Sequence, residues 1–203
     1  ELCDWFFSLL QHEMLPGIFA TVLVAQVALA LTGVIALSTF GLAVPRVAGR
    51  GGSLAGHLIL VILRSFPEYM LAYLFLQIFG PSMLPAVLAL ALHNAAIIAH
   101  LLGREAGAMC AGLRRDAPKG LALWSYELTP RLFGNFVALC LYRWEIILRE
   151  TAVMGLLGVT TLGFYVDNAV AELRLDRALA LLCVAGILTA AVDLLSRGLR
   201  RRI

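Results

Sequence analysis

The sequence predicts an all-α fold, a polytopic membrane helix bundle of about five transmembrane helices with an elbow on one face. Three observations carry this. The 203 residues are 61% hydrophobic and only 14% charged, whereas ordinary soluble domains are roughly half apolar and a quarter charged. Residues 18–44 hold no charged side chain, a run longer than the about 20 apolar residues that cross a bilayer. The cations gather in a few short stretches instead of covering a surface. A soluble enzyme of usual composition is therefore excluded, and a net charge of +3 is too small for a nucleic-acid binder.

Each element follows from its local pattern. Residues 1–17 make an outer-face segment, and 18–203 a single transmembrane domain. The first span runs from Ile18 to Val44, bracketed by Pro16 and Pro45. The second, His57 to Phe79, is interrupted by Arg64, Pro67 and Glu68, and reads as a kinked helix. Gly80-Pro81 makes the turn into the third, Met83 to Gly103, apolar except for His93, Asn94 and His100. The fourth, Leu132 to Leu157, contains Arg143, Glu145, Arg149 and Glu150; the fifth, Ala178 to Ser196, holds Asp193 near its end. Cys3, Cys110, Cys140 and Cys183 lie far apart, so neither a metal site nor a disulfide framework is indicated.

Orientation follows from where arginine and lysine sit, because positive residues are retained on the cytoplasmic side. Arg46 and Arg50 lie after the first span, and Arg104, Arg114, Arg115, Lys119 and Arg131 between the third and fourth. Arg200, Arg201 and Arg202 follow the fifth. With five spans these three stretches share one side, which puts the C-terminus inside and the N-terminus outside. An outward N-terminus that starts at Glu1 leads us to expect a preceding span, six in the full protein.

An ionised side chain at mid-bilayer costs about 2.5–3.5 kcal/mol, so the intramembrane charges call for a reason. Arg64 and Glu68 are four apart and share a helix face, as do Glu145 and Arg149. For any one residue, an ion pair inside the bundle or an arginine reaching toward headgroups is the plainer reading. Taken as a set with Arg143, they point to a water-filled path, and guanidinium suits an oxyanion because it donates two parallel hydrogen bonds and stays charged. His93 and Asn94 either line that path or bond between helices.

The longest inner connection, 104–131, has its own periodicity. Ala106, Met109, Cys110 and Leu113 form one stripe, and Leu121, Trp124 and Leu128 a second after Asp116-Ala117-Pro118 restarts a helix that Pro130 ends. Two short amphipathic helices then make an elbow. It either lies on lipid, with Trp124 as interfacial anchor and the arginines on anionic headgroups, or docks a cytoplasmic partner.

The order of these features resembles the permease subunits of binding-protein-dependent ABC importers, in particular their phosphonate and phosphite branch. The resemblance runs from about residue 18 to the end. It rests on Arg64-Ser65-Phe66-Pro67-Glu68, on Phe79-Gly80-Pro81 with the run Val87 to His93, and on Tyr142-Arg143-Trp144-Glu145 with Arg149. Gly155 and Gly158 follow, then Asp193 and Ser196 ahead of the arginine-rich tail. It implies a multi-pass subunit of a bacterial inner membrane that works as a dimer of permeases, with two ATP-binding subunits and a periplasmic substrate-binding protein. ATP and Mg would be held by the partner ATPase, and this chain would carry no cofactor, metal or catalytic chemistry. The chain lacks the G-x-x-x-x-G-K-[ST] phosphate loop.

By the same resemblance the substrate pathway comprises Arg64, Glu68, His93, Asn94, Arg143, Glu145, Arg149, Thr160 and Thr161. The threonines stand where the branch has glycines. The elbow corresponds to the coupling loop, with Glu105, Arg114, Arg115, Asp116, Ala117, Pro118 and Pro130 facing the ATPase. Ala117 takes the place of the loop's glycine and Ala111 that of its glutamate, so Glu105 or Asp116 would supply the polar anchor. Two other classes stand beside this one. A membrane enzyme would have to use His93 with Glu68 or Glu145 as an acid–base pair, and a scaffold subunit would have lost coupling.

Overall fold

The computed structural model describes residues 2–113 and 118–201, almost wholly helical. The chain enters through α1 (Leu2–Leu9), a π-helical turn (Leu10–Met14) and α2 (Leu15–Thr39), closed by a 3-10 turn, Phe40–Ala43. The apolar stretch Phe7–Ala43 is 37 residues, about 55 Å at 1.5 Å per residue, well beyond the ~30 Å of a hydrocarbon core. Pro16 does not begin the span as expected from sequence. It sits in the first turn of α2, where the missing N–H is harmless, and the helix continues on its N-terminal side.

The second span divides. α3 (Pro45–Ser65) starts directly after Val44, and α4 (Glu68–Phe79) is a separate helix of 12 residues. Phe66 is extended at φ −75°, ψ 128°, because the ring of Pro67 disfavours helical geometry in the residue before it. A kink read from the sequence is thus a break.

α5 (Met83–Ala111) is the central post. Ala86, Ala89, Ala95, Ala96, Ala99 and Ala106 are all buried, spread around more than one side of the helix, and these small side chains let α2, α3, α4 and α7 approach closely. Its buried Leu90, Ile98 and Leu102 fill the space that remains. Around it Phe40, Leu102, Leu123 and Leu128 make a core at one end of the bundle, and Val24, Leu90, Ile147 and Met154 one at the middle. Leu9, Met14, Leu162 and Leu181 pack at the other end.

α5 runs eight residues past Gly103, so the stripe of Ala106 and Cys110 belongs to this helix and not to a separate elbow helix. The chain re-enters helix at α6 (Leu121–Leu123), not at Pro118, since Gly120 at φ 67° makes the turn. A π-helical turn (Trp124–Leu128) then leads without interruption into α7 (Thr129–Val153). Pro130 lies in the first turn of α7 instead of ending a helix. The expected two-helix elbow is therefore the extended ends of α5 and α7.

After α7 come a 3-10 turn (Met154–Leu157), α8 (Leu162–Ala171), bent by 42° from the preceding run, and α9 (Leu175–Arg200). Two glycines set this bend. A Cβ on Gly163 would stand 1.8 Å from the Ala152 carbonyl oxygen, and one on Gly155 2.1 Å from the Phe164 nitrogen, so the two backbones touch directly. Among the described residues four helices are long and apolar enough to cross a membrane, and counting the bent pair as one span makes five.

Candidate functional site

The charged and polar side chains expected on one path fall into two groups, on opposite faces of α7. The first is largely enclosed, with His93 and Asn94 buried and Glu68, Arg143 and Glu150 half-buried. Arg143 Nη1 donates to Asn94 Oδ1 at 3.3 Å; Asn94 Nδ2 donates to Glu150 Oε2 at 3.1 Å and to the Leu90 carbonyl at 2.9 Å. His93 Nε2 lies 3.6 Å from Glu68 Oε2, both side chains being at most 15% exposed. Here α4, α5 and α7 meet through Glu68, His93, Asn94, Arg143 and Glu150. The group brings two carboxylates against one permanent cation, so Arg143 is already balanced and offers an incoming anion little uncompensated charge.

The second group opens on a groove of about 610 Å³ between α7 and α9. Arg149 pairs with Glu145 on α7, and Arg197 pairs with Asp193 on α9 through both Nε at 2.8 Å and Nη2 at 2.6 Å. Ala152, Ala185, Gly186, Thr189 and Ala190 form its floor and walls, small enough to leave the space open. Ser196 closes one end of the helix pair by donating to the Leu141 carbonyl at 2.6 Å. Both guanidinium groups are more than 60% exposed, so they keep free donors toward the groove.

The other residues read from the sequence lie elsewhere. Arg64 ends α3, exposed; the break at Pro67 carries Glu68 off that helix, so Glu68 meets His93 and not Arg64. Thr160 is exposed and Thr161 buried at the start of α8, where the Leu162 N–H donates to Thr21 Oγ1 at 3.0 Å; this ties α8 to α2 and does not join either group. On the elbow, Glu105 is a helix–helix anchor, accepting from Asn135 Nδ2 at 2.9 Å. Pro118 is exposed coil and Pro130 exposed helix, while Arg114, Arg115, Asp116 and Ala117 lie outside the described residues. Glu150, Asp193 and Arg197 are the members that sequence reasoning left out of the site. The signal was present: Arg143 and Glu150 are seven apart, hence on one face, and Asp193 and Arg197 are four apart.

Comparison with known proteins agrees with this architecture. No family model matches the chain. It is 27% identical over 191 residues to the phosphite transport system permease protein PtxC of Stutzerimonas stutzeri, covering 88% of this chain and 69% of that one. It is 29% identical over 148 residues to the phosphate-import permease protein PhnE of Mycolicibacterium smegmatis, 70% of this chain but only 28% of the length of that relative. Among solved structures, an amino acid ABC transporter with histidines superposes with a TM-score of 0.72 at 15% identity, covering 100% of this chain and 97% of that one. The MetNI methionine ABC transporter in inward-facing conformations gives 0.71 at 16% identity over 93% and 95%. Relatives in sequence and neighbours in fold point the same way: the chain is similar in sequence to phosphite and phosphate-import permeases, and its fold is that of chains from ABC transporters.

Proposed function

We propose that the chain is the transmembrane permease subunit of an ABC importer that carries a phosphorus oxyanion of the phosphonate, phosphite or phosphate class across the bacterial inner membrane. The observation that supports it most is the likeness to a phosphite permease across 88% of the chain. Two ATP-binding subunits, a periplasmic substrate-binding protein and a second permease copy complete the transporter, with the C-terminus cytoplasmic. ATP and Mg belong to the ATPase. Of the elbow, we assign its tip around Pro118 to the ATPase, while Glu105 holds α5 to α7.

The chain's own work is to offer a polar surface to an anion that has left water. In our reading the α7–α9 groove does this. Arg149 and Arg197 hold their carboxylate partners with part of the guanidinium fork and keep the remaining donors for the substrate, so each anion contact is made without baring an unpaired charge between passages. The buried group Glu68, His93, Asn94, Arg143 and Glu150 holds α4, α5 and α7 in register and lends the groove its rigidity. Arg64, Thr160 and Thr161 stand apart from this groove.

Growth of a host that depends on this transporter, with phosphite or a phosphonate as sole phosphorus source, tests the assignment. Arg149→Ala should lower uptake at least tenfold with the protein still present in the membrane. Wild-type uptake by Arg149→Ala and by Arg197→Ala would sink the groove as the route. Loss of copurification with an ATPase encoded beside it would sink the importer reading.

A further inference from the structure

At the start of α3 and just ahead of α6, Pro45, Arg46, Val47, Gly49, Arg50, Lys119 and Gly120 enclose an open concavity of about 740 Å³. Three of these seven residues are cations and none is a carboxylate. The walls are tied together, since the Gly120 N–H donates to the Arg46 carbonyl at 3.0 Å and Arg46 Nη2 to the Leu113 carbonyl at 3.4 Å. This is the face that the arginine distribution makes cytoplasmic.

Val47 also lines a second, narrower cleft of about 100 Å³, together with Ser38, Gly41, Leu42, Leu121 and Trp124. Leu42 and Leu121 are 46% and 78% exposed, an apolar flank directly beside a basic hollow. Each cavity is also lined by a residue that carries a buried donor without an acceptor among the described residues: Nη1 of Arg46 at the wide one and Nε1 of Trp124 at the narrow one. A buried N–H left unmet is costly, and two of them on residues that line neighbouring cavities point to a missing oxygen-rich ligand.

We propose that these two neighbouring cavities bind an anionic glycerophospholipid of the cytoplasmic leaflet. Its phosphate lies between Arg46, Arg50 and Lys119, an ester carbonyl accepts from Trp124 Nε1, and an acyl chain runs along Leu42 and Leu121. Free phosphate or an acidic protein segment would engage the cations but would leave the indole and the apolar flank unused. The combination of three cations, one indole donor and an adjoining apolar cleft matches the order of groups along a phospholipid.

Fluorescence in vesicles tests this independently of any transported substrate. In a chain with Trp5→Phe and Trp144→Phe, Trp124 reports alone. A minor fraction of phosphatidylglycerol brominated on its acyl chains, in phosphatidylcholine, should quench Trp124 several-fold more than the same fraction of brominated phosphatidylcholine. The exposed pair of substitutions Arg50→Gln and Lys119→Gln should abolish that preference, Arg131→Gln should leave it, and millimolar inorganic phosphate should not reverse it. Native mass spectrometry of the unsubstituted chain from mixed micelles should retain phosphatidylglycerol over phosphatidylcholine, and the Arg50→Gln, Lys119→Gln chain should not. Equal quenching by both lipids, a preference that survives the double substitution, or reversal by inorganic phosphate would each overturn the proposal.

Discussion

Arg143 and Glu145 stand two residues apart on α7, a rotation of about 200°, and that separation decides their surroundings. Arg143 faces α5, where it meets Asn94 and, through it, Glu150; Glu145 faces α9 with Arg149. The charges were legible as residues of the fourth span, but their division between two faces depends on which helices flank α7, and no local pattern states that. The division has a measurable consequence. Arg143→Ala leaves Asn94 and the partly buried Glu150 without their nearby cation and should cost about 1–3 kcal/mol, seen as a fall in the thermal midpoint of detergent-purified protein. The double substitution Arg143→Met with Glu150→Gln should recover most of that fall. Arg149→Ala removes an exposed pair worth at most about 1 kcal/mol and should barely move the midpoint. If Arg143→Ala were as benign as Arg149→Ala, the buried network would not be holding the bundle.

Among the elements, the spans themselves were readable, because hydrophobic length is a property of the local chain. Their joints were not. The second span was expected as one kinked helix with an Arg64–Glu68 pair; Pro67 instead separates α3 from α4, and Glu68 crosses to His93. A 12-residue helix cannot cross the core alone, so α4 depends on its contacts with α5. His93→Leu should therefore raise amide exchange selectively over residues 68–79 while α5 stays protected; uniform exchange would deny the Glu68–His93 contact that role. The turn into α8 makes a sharper prediction. Gly163→Ala forces a Cβ onto the Ala152 carbonyl and should abolish membrane accumulation, whereas Gly186→Ala, with open space beside it, should accumulate normally. Comparable yields of the two would contradict the backbone contact. The elbow was read as two helices because its stripes have helical period, but Ala106 and Cys110 continue the face already begun by Ala95 and Ala99. A stripe cannot say whether its helix is new or extended.

At the scale of the whole molecule, five crossings with the cations on one side predict a single topology. A fluorescent protein fused after Arg201 should fold and fluoresce, alkaline phosphatase at the same point should be inactive, and alkaline phosphatase after Ser82 should be active. Activity after Arg201 would invert the orientation. Composition and the charge-free run of residues 18–44 were enough to determine an all-α membrane bundle and its approximate number of spans, since lipid imposes those requirements on each segment separately. The order of short motifs also carried the resemblance to ABC permeases, in keeping with the similarity to phosphite and phosphate-import permeases and with the shared fold. What only the tertiary structure decided is which charges meet: Glu68 with His93, Arg143 with Asn94 and Glu150, and the groove where Arg149 and Arg197 stand on facing helices. Helix spacing places a side chain on a face, but the neighbour on that face comes from the packing of α2, α5, α7 and α9 against one another, a long-range property that no segment encodes alone.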